Sequence, residues 1–103
     1  MKFKTHNDKD INVNMTSFQG EIYARYCQLK KVFGAPTNGD GYKVDAEWDL
    51  EFEDGTVATI YNYKDGPNYL GGNGTPKSKI TNWHIGGHSK KVCDKVRAAL
   101  DGE

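Results

Sequence analysis

Long apolar runs are missing from this chain: no stretch approaches the ~18 consecutive apolar residues that a membrane-spanning helix needs. The polar, charged start at residues 1–14 has no apolar h-region, so a secretory signal is not expected either. Cysteine is scarce. Cys27 and Cys93 are the only two, far apart in sequence and each within an apolar helical pattern. Buried free thiols are the expected state, and two cysteines cannot build a structural zinc site without suitably spaced histidines. An excess of charge of either sign is also absent, with 14 basic and 14 acidic residues. Direct nucleic-acid or membrane binding, which draws on a basic excess or patch, is therefore not expected, although charges can still segregate by face.

What is present is enough for one domain: 103 residues. Residues 1–15 read as a flexible arm, with a short edge strand at 11–13, and residues 16–103 as a single α+β domain. In 16–24, Phe18, Gly20 and Ile22 alternate with Gln19, Glu21 and Tyr23, the mark of a strand. From Arg25 the period changes. Tyr26, Leu29 and Phe33 share one helical face, Gly34 supplies the stop, and Pro36 follows.

The clearest pattern is a hairpin at 46–64. Ala46, Trp48, Leu50 and Phe52 alternate with Glu47, Asp49, Glu51 and Glu53, and Asp54-Gly55 is a two-residue turn signal. That turn would set Phe52 opposite Val57, Leu50 opposite Thr59 and Trp48 opposite Tyr61, with Tyr61 and Tyr63 on the apolar side. Residues 65–80 read as a long, mobile, glycine-rich loop. Trp83 to Gly86 reads as a short strand, and Ser89 as the N-cap of a last helix striped by Val92, Cys93, Val96 and Leu100. The expected architecture is a two-layer sandwich: an antiparallel sheet of about four strands with two helices on one face.

Three constellations could carry chemistry. The acidic stripe Glu47, Asp49, Glu51 and Glu53 is a solvated sheet face or a surface for a basic protein partner. A straight strand splays its carboxylates, so a metal site is not expected there. His84 and His88 have zinc-pair spacing, but Gly86-Gly87 between them opposes the helix such a pair needs. His84 beside a carboxylate could act as a general base in a small hydrolase, yet no nucleophile accompanies it. Gly86-Gly87-His88-Ser89 at a helix start would suit an anion. With Trp83, His84, Tyr61, Tyr63 and Lys64 close by, a small nucleotide is the expected ligand, stacked on the rings with its phosphate at the helix start. No cofactor is expected. Residues 71–78 lack the Gly-Lys-Ser/Thr order of a P-loop.

The runs LKKVFGAP at 29–36, KVDAEWDLEFEDGTVATIYNYK at 43–64 and WHIGG at 83–87 resemble a family of small uncharacterised proteins of tailed bacteriophages. The resemblance covers most of 17–100 and brings no catalytic residues. It implies an accessory protein in the cytoplasm of a bacterial host, and from that context a counter-defence binding protein that sequesters a nucleotide immune signal. The alternatives are an inhibitor of a host defence nuclease or CRISPR-type complex acting through the acidic stripe, and the His84 hydrolase. A homo-oligomer would enlarge the small pocket such a domain can form.

Overall fold

Two tryptophans organise the core. Trp48 and Trp83 are fully buried, meet edge to face at 5.4 Å, and send their indole N–H groups to opposite ends of one helix. Trp48 donates to the carbonyl of Gly34 (2.8 Å) and Trp83 to that of Ala24 (3.0 Å). Each buried polar tip is thereby satisfied.

The computed structural model describes residues 2–102. Its strands are β1 (Phe3–Thr5), β2 (Ser17–Tyr23), β3 (Glu47–Phe52), β4 (Val57–Tyr61) and β5 (Asn82–Gly87). The helices are α1 (Tyr26–Phe33), α2 (Pro67–Leu70) and α3 (Lys91–Asp101). The strands form one antiparallel sheet in the order β1-β3-β4-β5-β2. Leu29 and Phe33 of α1, with Val92, Cys93, Val96 and Leu100 of α3, cover one face of it. The α+β sandwich expected from the sequence is the one observed, with a fifth strand and a single helical turn added. No helix among the described residues is long and apolar enough to cross a membrane.

The fifth strand lies at Phe3–Thr5, pairing with β3, and not at 11–13. Phe3 packs against Phe33 (5.2 Å between rings) and Phe52 (6.3 Å), so this part of the N-terminal segment belongs to the sheet.

The hairpin register differs by one residue from the expected one. Trp48 faces Ile60, Leu50 faces Ala58 and Glu51 faces Val57. The loop has three residues, Glu53-Asp54-Gly55, closed by Phe52 N–H donating to Thr56 O (2.8 Å) and Gly55 N–H to Phe52 O (2.9 Å). Gly55 takes φ +89°, the left-handed residue that ends a three-residue hairpin loop. The β3 faces stay as expected. Those of β4 are exchanged: Ala58 and Ile60 fill the core, and Tyr61 joins the carboxylates.

A second irregularity re-aims β2. A bulge between Phe18 and Gly20 sets Phe18 opposite Gly86 and Gly20 opposite Ile85. Phe18 therefore leaves the face it was expected to share with Gly20 and Ile22, as bulges allow. Gly20 remains inside, where a Cβ would lie 2.9 Å from Cys93 Sγ. Cys93 is buried as expected, whereas Cys27 is exposed, and both are free thiols.

Candidate functional site

The two irregularities assemble one surface on the sheet face opposite the helices. A row of register partners crosses four strands: Glu47 beside Tyr61, Tyr61 beside His84, His84 beside Glu21. The next row is Asp49, Thr59, Gly86 and Phe18. Gly86 keeps this second row low. A Cβ there would meet Thr59 Oγ1 and lie 3.4 Å from the Tyr61 ring. Phe18, 54% exposed, lies against the His84 ring at 4.8 Å. Tyr63, just beyond β4, stacks on His84 at 5.6 Å, and Tyr61 meets both rings edge on. Phe18, Tyr61, Tyr63 and His84 line a shallow depression of about 310 Å³.

The aromatic shelf borders uncompensated acid. Lys9 pairs with Glu51 at 3.0 Å, and Lys4 is the register partner of Glu51. Among the described residues no cation pairs with Glu47 or Asp49. Burial pushes the Glu47 carboxyl up to about 8, helped by the hydrogen bond it shares with Asp49, by the Asp49 charge and by Asp40. Asp49 Oδ1 is buried without a hydrogen-bond partner. Burial, then the charges of Glu47 and Tyr63, also raises the Tyr61 phenol. A carboxyl raised this far keeps its proton at neutral pH, the mark of burial beside a second carboxylate with no cation paired to either. Asp54 lies elsewhere, at the hairpin tip. Lys95 (2.8 Å), followed by Thr56 N–H, holds its carboxyl well below the usual range.

The expected ligand site is divided by the sheet. His84, Tyr61 and Tyr63 come together on the outer face, but Trp83 points the other way and is wholly buried. Gly86 and Gly87 lie inside β5, between β4 and β2, and not at a helix start. Gly87 exists for packing, since a Cβ would stand 2.6 Å from Val92 Cγ1. Lys90, not Ser89, precedes α3, and no side chain caps that helix. The anion cradle expected at 86–89 is therefore absent as a unit. Glu53 sits in the hairpin loop, apart from Glu47, Asp49 and Glu51. His88 lies beyond the strand and is exposed, and no group of three or more metal-ligating side chains exists among the described residues. His84 Nε2 approaches Glu21 Oε1 at 3.7 Å.

Lys64 continues the aromatic row. It takes φ +60°, rare for a side-chain-bearing residue, and sets its ammonium over Tyr63 (5.3 Å) and Tyr69 (5.5 Å). Tyr42 follows, 5.3 Å from Tyr69. Residues 65–80 are tied down at their start. Buried Asn62 accepts from the N–H groups of Asp45 (2.8 Å) and Ala46 (3.0 Å), and donates to the carboxylates of Asp45 and Asp65 (both 2.9 Å). Asp45 also accepts from Asn68 N–H, and Thr75 N–H donates to Asp65 O. The segment is thus folded onto the hairpin end through α2 and two 3-10 turns.

Sequence reasoning missed Phe18. The available signal was Gly20, because a glycine within a strand pattern often marks a bulge.

In comparisons with known proteins, no family model matches the chain and no curated protein matches it.

Proposed function

We propose that this chain is a non-enzymatic binding protein whose outer sheet face docks on a basic surface of a protein partner. One observation carries the reading: Glu47 and Asp49 share a half-buried site with no counter-cation, directly beside an open aromatic shelf. An arginine or lysine from a partner would supply the missing charge. Its planar or aliphatic part would lie on Tyr61, Tyr63 and Phe18, the arrangement that favours cation–π contact. Aromatic residues around desolvated charge are also where interface energy concentrates. In the phage setting that the sequence resemblance implies, the partner would be a host defence protein, with a nucleic-acid-binding surface of a nuclease or CRISPR-type complex as the fitting chemistry.

Sequestration of a small nucleotide is the second reading. The Tyr63–His84 stack and the Lys64 ammonium support it, since a base could lie on the rings with a phosphate at Lys64. The carboxylates nearby weigh against it by repelling phosphate. The test is NMR titration with two probes, an arginine-rich peptide and a panel of cyclic nucleotides. Peptide-induced shifts centred on Glu47, Asp49, Tyr61 and His84, lost in Glu47→Gln/Asp49→Asn, are the expected result. Shifts with a nucleotide around Tyr63, Lys64 and His84, and none with the peptide, would exchange the two readings. A folded protein silent to both probes ends both.

A further inference from the structure

Zero net charge conceals a division along the sequence. Every acidic residue falls outside two stretches, 22–39 and 66–93. The first holds Arg25, Lys30 and Lys31, and the second holds Lys77, Lys79, Lys90 and Lys91. The fold joins parts of these stretches, because α1 packs against the turn Lys77–Lys79, and the Lys77 ammonium lies over the Tyr26 ring at 6.0 Å. Helix α1 turns Leu29 and Phe33 into the core, so its exposed Lys30 and Lys31 face away from the sheet. Arg25 and Lys79 are exposed as well, and Lys77 is half-buried. Among the described residues none of these five cations has an ion-pair partner, although Lys77 lines a shallow hollow with Asp45 and Lys79 lines one with Asp65. Repulsion within such a cluster is relieved by a polyanion.

We propose that this helical side is a second binding surface, one that takes the phosphate backbone of duplex nucleic acid. The duplex is favoured over a single strand because single-strand binding draws on stacking platforms. The exposed rings Phe18, Tyr63, Tyr69 and Tyr42 belong to the sheet-face row and its continuation, and the remaining one, Tyr23, lies on β2 on the same sheet face as Glu21. The molecule is then two-sided: acid and aromatic rings toward a basic protein, five cations toward phosphates. Four of the five cations are lysines, which meet phosphate as point charges, so binding is backbone-directed and independent of sequence.

The experiment is fluorescence anisotropy with a labelled duplex of about 20 base pairs, read as a function of KCl. Five neutralised phosphates give a log–log salt slope of about −4.5, so affinity should fall by ~500-fold between about 50 and 200 mM salt. Lys30→Glu/Lys31→Glu and Lys77→Glu/Lys79→Glu should each weaken binding at least tenfold, with circular dichroism unchanged because these side chains lie outside the core. Glu47→Lys/Asp49→Lys, on the opposite side, should not weaken it. Four results overturn the proposal: no binding at low salt, binding indifferent to the lysine variants, tighter binding to the single strand, or salt-sensitive self-association without duplex binding. The last would instead seat the basic side of one copy on the acidic face of another.

Discussion

Replacing Glu47 by Gln isolates the proton that burial holds on this sheet-face carboxyl. The amide keeps the size of the carboxylic acid and can still donate to Asp49, but it does not titrate. In the folded protein the Glu47 carboxyl is raised to about 8 from an ordinary value of 4.5. Between those values the folded state holds a proton that the unfolded chain releases, so stability falls as pH rises through that window. The contribution is fully present below pH 4.5 and is lost through pH 8. At complete burial the displacement would correspond to ~5 kcal/mol. The pair is partly open to water, and screening reduces this to ~1–2 kcal/mol. For a domain of this size that is a shift in Tm of roughly 5–10 °C. Paired thermal melts at about pH 5 and about pH 9 give the readout. The wild type should lose this amount more than Glu47→Gln over the interval, because the remaining groups titrate alike in both proteins and cancel in the difference. Equal pH dependence in the two proteins would refute the raised Glu47 carboxyl. So would a Glu47→Gln variant no more stable than wild type at the higher pH.

Other expectations follow from single contacts. Asn62→Ala removes four hydrogen bonds from a fully buried hub and should cost ~2–4 kcal/mol in urea unfolding. The same variant should also raise amide exchange across 65–75. Gly87→Ala drives a methyl against Val92 and should cost ~1–3 kcal/mol, with much of it restored by adding Val92→Ala. An absence of rescue would mean that the Val57 carbonyl, 3.3 Å away, sets the limit. Under native conditions an aromatic disulfide reagent should titrate one thiol rapidly, that of exposed Cys27, and reach buried Cys93 only on unfolding.

The legible parts of the fold were those with one consistent period. Trp48, Leu50 and Phe52 alternate with carboxylates that have no place in a core, so the β3 faces could be read directly. Gly34 and Pro36 marked the end of α1 by backbone chemistry alone. The partner strand was different. Val57, Thr59 and Tyr61 against Ala58, Ile60 and Asn62 offers two apolar faces, and Asp54-Gly55 fits a two-residue and a three-residue loop equally well. Burial decides it: Ile60 and Ala58 fit beneath Trp48 and Leu50, and Asn62 is satisfied inside by Asp45 and Asp65. The contact with Asp45 joins residues 17 apart in the chain, beyond the reach of local pattern. β1, three residues long, has no periodicity to detect. The candidate surface was legible in its members His84, Glu47 and Asp49. Its unity was not, because it depends on the hairpin register and on the bulge beside Gly20.

The strand order also says when the molecule can fold. β1 and β2 are sequence neighbours, yet they form opposite edges of the sheet. The sole sheet partner of β2 among the described residues is β5, with Ile22 meeting Trp83. During synthesis β2 and α1 emerge early and must wait for nearly the whole chain before that partner exists. Closing so long a loop sets the pace of folding. Until then Ile22 and the inner face of α1 stay exposed, a window for chaperone capture or misassociation. The outer sheet face shares this timing, since its row from Glu47 to Glu21 is complete only once the last strand is in place.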